Sequence, residues 1–478
     1  MTEANGTAAD YDLIVLGSGP AGEKGAAQAA YFGKRVALVE REPVVGGACV
    51  NTGTIPSKTL RETALHLAGL IQRNIGGVEI SLRRDVSVLD FMRQKDDVVA
   101  RQHTQIESNI QRHGIDYYRG AARFKSADTI SIESAKGTEL LRGRVILIAT
   151  GSSPHQPAGI PFDHQKIYDS DTILTIDCIP QSLAVVGAGV IGCEYASIFA
   201  ALGVKVSLID GRTELLGHID DEISDILLDQ LSRRLKIELH LGADVASIEP
   251  DEDSVNLTLT DGRVIDAQKV LYAAGRQSNT GDLDLAAAGV VTGKRGLIPV
   301  NEHYQTNVTT IYAAGDVIGF PALASTSMEQ ARVAVVHAFD LKYKQSVATL
   351  LPFGIYTIPE VATIGRSEED CQKAGIDYEV GRAWFRNNPR GMIIGETDGL
   401  LKIVFDPESR QIFGVHIVGE NASDLLHIGM MVMQLGGTLS SFIDSVFNYP
   451  TLGDAYKYAA YDGLGNLARR GNAKSREA

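Results

Sequence analysis

An α/β fold built on two Rossmann-like units is what this chain predicts, and three observations predict it. Gly17, Gly19, Gly22, Gly33 and Glu40 recur as Gly187, Gly189, Gly192, Gly203 and Asp210 at one constant offset of 170 residues. Each set lies between a short apolar strand pattern and an acid that ends a second strand, with a helix pattern between. At 478 residues the chain is too long for one ordinary core, and 44% hydrophobic residues with 49 glycines suit a folded α/β protein.

The first copy runs from a strand pattern at 11–16 through Gly17-Ser18-Gly19-Pro20-Ala21-Gly22, an Ala-rich helix, Gly33 and a strand at 36–39 that ends at Glu40. The second begins at 183–186, continues through Gly187-Ala188-Gly189-Val190-Ile191-Gly192, a helix and Gly203, and closes with a strand at 204–209 ending at Asp210. Glycines permit a tight turn and close backbone approach, and the helix N-terminus that follows offers unpaired N–H groups to a pyrophosphate. The terminal carboxylate accepts hydrogen bonds from ribose hydroxyls. One such turn alone is often an ordinary glycine turn; two full units point to two dinucleotides.

Composition narrows the partners. A formal charge of −14 argues against nucleic acid or an anionic membrane as a partner, since either wants clustered cations. Cys49, Cys178, Cys193 and Cys371 are widely spaced, with no CxxC and no zinc-like cluster, so no metal is expected and a cytoplasmic setting is the simplest expectation. The start, Met1-Thr2-Glu3-Ala4-Asn5-Gly6, shows no leader pattern, and no apolar run reaches membrane-spanning length. The basic stretch from Arg469 to Arg476 is expected to be a frayed tail.

The segment at 46–58 contains Gly46, Gly47, Cys49, Gly53, Thr54, Ile55, Pro56, Ser57 and Lys58. It resembles the active-site turn of the flavin disulfide reductases, in which two cysteines stand five positions apart. Here the first place holds Cys49 and the second Thr54, and a hydroxyl cannot form a disulfide. That resemblance assigns the first cradle to FAD, with Gly17, Gly19, Gly22, Glu40, Gly47 and Lys58 as its contacts, and the second to NAD(P). Further segments are similar to the same family. They are Gly120 to Phe124, with Ala122 near the adenine; Thr150 and Gly151 at a crossing between domains; and Gly315 and Asp316, the acid on the ribityl chain.

The implied layout is an FAD-binding domain at 1–155 completed by 275–350, an NAD(P)-binding domain at 156–274, and a C-terminal α+β dimerisation domain at 351–478. Ile358-Pro359-Glu360 resembles the start of that last domain, and a homodimer or higher homo-oligomer follows from the likeness. In related enzymes the lysine matching Lys58 lies near the flavin N5 edge and pairs with an acid matching Glu194, whose role is electrostatic. On the NAD(P) side, Gly187, Gly189, Gly192, Glu194 and Gly275 are expected contacts. Asp210 suits the free ribose 2′-hydroxyl of NAD, and Arg212 the 2′-phosphate of NADP.

Tyr449-Pro450-Thr451 stands where disulfide reductases carry His-Pro-Thr, and a phenol is a poor base at neutral pH. Cys49 is either a small packing residue or a lone thiol open to peroxide. With sulfur relay and histidine both altered, the chain resembles the soluble, FAD-containing pyridine nucleotide transhydrogenases. The implied reaction is NADPH + NAD+ ⇌ NADP+ + NADH. An NAD(P)H:quinone reductase or diaphorase is the second reading on the same scaffold. A dihydrolipoamide dehydrogenase needs the missing sulfur, and a non-catalytic redox-sensing flavoprotein is the reading from another class.

Overall fold

The computed structural model describes residues 10–72 and 87–477. The chain start from Met1 to Gly6, read above for a leader, lies outside the described residues. Tyr11–Leu16 and Val36–Glu40 pair in parallel, and Gly137–Ile148 joins the first of them on its other side. Asp116–Arg119 extends the sheet beyond Val36–Glu40, while Thr129–Ser134 and Ala121–Phe124 add an antiparallel flap. Tyr11–Leu16 and Val36–Glu40, at the centre of the sheet, are buried almost throughout, as strands covered on both faces must be.

The chain leaves this sheet after Ile148 and returns to it at Ile311–Ala313, which pairs in parallel with the end of Gly137–Ile148. Between these points lies a second parallel sheet, in the order Glu238–Leu241, Lys205–Asp210, Ser182–Val186, Lys269–Tyr272, Ile167–Asp169. The repeat is therefore structural: each glycine turn joins the central strand of its own sheet to a helix, Pro20–Tyr31 in one and Val190–Ala201 in the other. A short antiparallel pair, Ser152–Pro154 with Arg276–Ser278, carries the chain between the two sheets.

The C-terminal part is an antiparallel sheet of five strands, Phe353–Ile355, Val361–Gly365, Ile412–Val418, Leu400–Phe405 and Glu379–Trp384. Helices Ala422–Gln434 and Ala455–Glu477 pack on it through Leu426, Tyr456 and Ala459. The expected frayed tail is a correction: 469–476 forms the last turns of the helix Ala455–Glu477. Local anchors explain it. Asn466 donates to the Val380 carbonyl at 2.7 Å, and Arg470 is paired with Asp377 at 2.6 Å. Among the described residues no helix is long and apolar enough to cross a membrane.

Candidate functional site

Both glycine turns are built the same way. Gly17 and Gly187 have φ of 99° and 106°, a conformation that favours glycine. A β-carbon at Gly22 would lie 1.8 Å from the Gly17 carbonyl oxygen, and one at Gly192 would lie 1.8 Å from that of Gly187. The helix N-termini beyond them, at Gly19 and Gly189, have no side-chain cap, so their N–H groups stay available to an anion.

Around the first turn the polar groups are tied down. Glu40, 6% exposed, accepts from the Ser18 N–H at 2.8 Å and the Ser18 hydroxyl at 2.7 Å, and from the Glu42 N–H at 2.9 Å. Ser18 in turn accepts from the Gly46 N–H at 3.0 Å, which draws the segment at 46–58 against the glycine turn. There a β-carbon on Gly47 would come within 2.8 Å of Gly19 Cα. Gly120 donates to the Glu40 carbonyl at 2.9 Å, placing the strand that holds Ala122 beside the same acid.

Gly315 and Asp316 follow the returning strand. The Gly315 N–H is held by Gln330 at 2.8 Å, and Asp316 Oδ2 accepts from Ser152 at 2.8 Å. Arg276 grips that same Ser152 through its hydroxyl at 2.8 Å and its carbonyl at 2.7 Å. Thr150 and Gly151 lie at this crossing, with both carbonyls held by Asn279 at 3.0 Å.

Lys58 and Glu194 meet across the domains. The ammonium lies 2.9 and 2.7 Å from the two carboxylate oxygens, and Glu194 is 4% exposed. The Tyr356 N–H donates to Glu194 at 2.9 Å, and the Tyr356 ring sits 4.8 Å from the ammonium. Sequence reasoning named the pair but missed Tyr356, Ser18, Ser152 and Arg276. Ser18 was readable, being the one hydroxyl inside the first glycine turn; nothing in the local pattern marks the others.

Cys49 and Thr54 stand close to one another, and the Thr54 hydroxyl acts on the Cys49 thiol. Burial pushes the Cys49 thiol up, and the nearby Thr54 hydroxyl and the Lys58 charge only partly oppose that, so the thiol is held neutral at pH 7. Between the two peroxide and packing readings of Cys49, this favours packing. Tyr449 is 71% exposed.

The second turn opens on a cleft of about 460 Å³ lined by Gly187, Gly189, Val190, Ile191, Asp210, Arg212, Ala273, Ala274 and Gly275. Five of these residues are sequence-predicted contacts. Gly192 lies behind them against the Gly187 carbonyl, and Glu194 points instead to Lys58. Arg212 is folded onto Asp210, Nη2 to Oδ2 at 2.8 Å. Burial alone would raise the Asp210 carboxyl, but hydrogen bonds from Arg212 and Ala188 and the guanidinium charge hold it below the usual carboxylate range.

The first cradle fits an FAD group on its own evidence. Its closely packed glycines leave no place for side chains, the Thr150 hydroxyl is buried with no partner among the described residues, and open space adjoins the Cα of Gly151.

Known proteins agree. Residues 11–338 match the pyridine nucleotide-disulphide oxidoreductase family, and 351–460 match its dimerisation domain. A soluble pyridine nucleotide transhydrogenase of Mycobacterium tuberculosis is 43% identical over 460 residues, covering 96% of this chain and 98% of its own. One from Ectopseudomonas mendocina is 43% identical over 467 residues, covering 96% and 99%. Among solved structures, the HOCl-induced flavoprotein disulfide reductase RclA of Escherichia coli superposes with a TM-score of 0.85 at 26% identity, over 93% of this chain and 98% of that one. LpdA of Mycobacterium tuberculosis gives 0.86 at 25%, over 94% and 98%. With Cys49 the one thiol in the segment at 46–58, this chain belongs to the pyridine nucleotide-disulphide oxidoreductase family.

Proposed function

We propose that this protein is a soluble, FAD-containing pyridine nucleotide transhydrogenase that passes hydride between NADPH and NAD+ in a ping-pong sequence. The observation that carries it is Thr54 standing beside Cys49: the turn that would relay electrons to a disulfide substrate has one thiol, raised by burial, and a hydroxyl where the second thiol would be. The transhydrogenases from two genera at 43% identity support the same reading. Bound FAD would supply the two-electron acceptor and donor.

The chain's own groups then divide the work. Gly17, Gly19 and Gly22 would receive the FAD pyrophosphate at an uncapped helix N-terminus, Glu40 its ribose and Asp316 the ribityl chain, with Gly47, Ala122, Thr150, Gly151 and Gly315 lining the rest. Lys58 would supply positive charge to the bound flavin, and Glu194, braced by the Tyr356 N–H, fixes where that charge sits. Gly187, Gly189, Gly192, Asp210, Arg212 and Gly275 would hold the pyridine nucleotide, whose ring must lie against the flavin for hydride to move.

The domain limits 1–155, 156–274, 275–350 and 351–478 belong to the same proposal, supported by the strand Ile311–Ala313 rejoining the first sheet. So does a homodimer, supported by the matched dimerisation domain and by Leu435 and Val446, 81% and 95% exposed on that domain. A cytoplasmic setting is inferred from four cysteines that all remain free.

The decisive experiment reduces pure protein with NADPH under anaerobic conditions and then mixes in NAD+. Recovery of the oxidised flavin spectrum with one NADH per flavin is expected. A flavin that stays bleached after NAD+ would reject the proposal, and menadione then tests quinone reduction.

A further inference from the structure

The carboxylate of Asp210 is saturated by its own chain. Oδ1 accepts from the Arg212 N–H at 2.8 Å and Arg212 Nε at 2.9 Å; Oδ2 accepts from the Ala188 N–H at 2.6 Å and Arg212 Nη2 at 2.8 Å. A carboxylate has about four lone-pair sites, so none is left for a ribose. Two of the four donors are backbone and stay. The other two belong to a side chain that is 59% exposed, against 10% for Asp210, so the guanidinium can move from the carboxylate into solvent without being desolvated.

We propose that Arg212 is an internal counter-ion that lets one cleft accept both NAD(H) and NADP(H). Docked on Asp210, it shields the carboxylate from an incoming 2′-phosphate; swung off, it leaves that carboxylate to the 2′-hydroxyl. The two positions vacated by Nε and Nη2 match the two O–H donors of a ribose diol. For NADP(H) the arginine need not leave, because Nη1 has no hydrogen bond among the described residues and a guanidinium can bridge two anions. The residues stand two apart in sequence, so the exchange needs only a side-chain rotation. This rests on the reading of the cleft as the pyridine nucleotide site.

A plain phosphate ligand and a counter-ion differ in the sign of one effect. Calorimetric titration of the flavin-loaded protein with adenosine 5′-monophosphate and adenosine 2′,5′-bisphosphate, which differ only in the 2′-phosphate, reads it. Arg212→Ala is expected to bind the bisphosphate about tenfold or more weakly and the monophosphate about threefold more tightly. Asp210→Asn should reverse both signs. If Arg212→Ala loses its flavin, Arg212→Lys serves instead, and smaller shifts of the same signs are expected because an ammonium cannot form the fork. Monophosphate affinity that is unchanged or weakened by loss of the guanidinium overturns the counter-ion while leaving transhydrogenation standing. Wild-type protein that binds neither fragment removes the cleft reading and the counter-ion with it.

Discussion

The two glycine cradles share a backbone and differ in what closes over them. At the first, Ser18 joins the terminal acid to the segment at 46–58, and Gly47 packs onto Gly19. At the second, Ala188 occupies the matching place and offers only its N–H, and nothing lies within 4 Å of a β-carbon built on Gly189. The acid of the first is held by neutral donors. That of the second is held by an exposed arginine. A closed, internally braced cradle suits a group that stays bound, and an open one with an exchangeable cation suits substrates that come and go in turn.

The largest effects should come from crowding the turns themselves. Gly22→Ala and Gly192→Ala each set a β-carbon against a carbonyl, at a cost of about 3 kcal/mol. The first is expected to lose flavin on gel filtration. The second should keep its flavin colour and fail to be bleached by NADPH; flavin loss from both would break the division of labour.

Next comes the pair that spans the two halves. Lys58→Met should slow anaerobic flavin reduction about 100-fold, the scale of removing one well-placed electrostatic contact. Glu194→Gln should do less, since it leaves the ammonium in place. A stopped-flow series that finds both variants as fast as wild type removes Lys58 from the chemistry.

Ser18→Ala makes the first cradle resemble the second. It strips one donor from Glu40 and leaves the Gly46 N–H unpaired, so flavin affinity should fall about tenfold, from roughly 1–2 kcal/mol, while nucleotide affinity holds. Dialysis against guanidinium chloride at low concentration, followed by flavin fluorescence, measures it.

Asp210 sets a pH expectation. Its carboxyl is held below the usual range, so it stays charged from pH 5 to 8, and nucleotide affinity should not change through this group there. The contribution is present at higher pH and is lost only as pH falls through the depressed value, below about pH 4. A titration in which affinity instead falls on raising the pH from 5 to 8 assigns the dependence to another group. The smallest effect belongs to Cys49→Ala, where a neutral, half-buried thiol is replaced by a methyl and turnover should stay within about twofold.

Much of the site could be read from the chain alone. Glycine spacing requires a particular backbone, so Gly17, Gly22, Gly187 and Gly192 could be found by counting, and with them the two sheets and the strand ends at Glu40 and Asp210; the meeting of Glu194 with Lys58 was legible only through the family resemblance. The expected first strand of the second copy falls one residue short of Ser182–Val186, a strand-end difference of little consequence. The tail was misread because its basic composition says nothing of Asp377 and Val380, which lie far away in the chain and hold the helix in place.

By itself the sequence determined the doubled cradle, the single thiol and the residue types at each acid, because these follow from local backbone demands and from which side chain stands where. Tertiary structure alone decided that Ser18 locks one cradle shut, that Tyr356 braces Glu194 from 162 positions away, and that Arg212 lies on Asp210. Hydrogen bonds between distant segments, and the choice of one rotamer by a long exposed side chain, depend on where the folded chain brings its donors and acceptors. No local spacing encodes that.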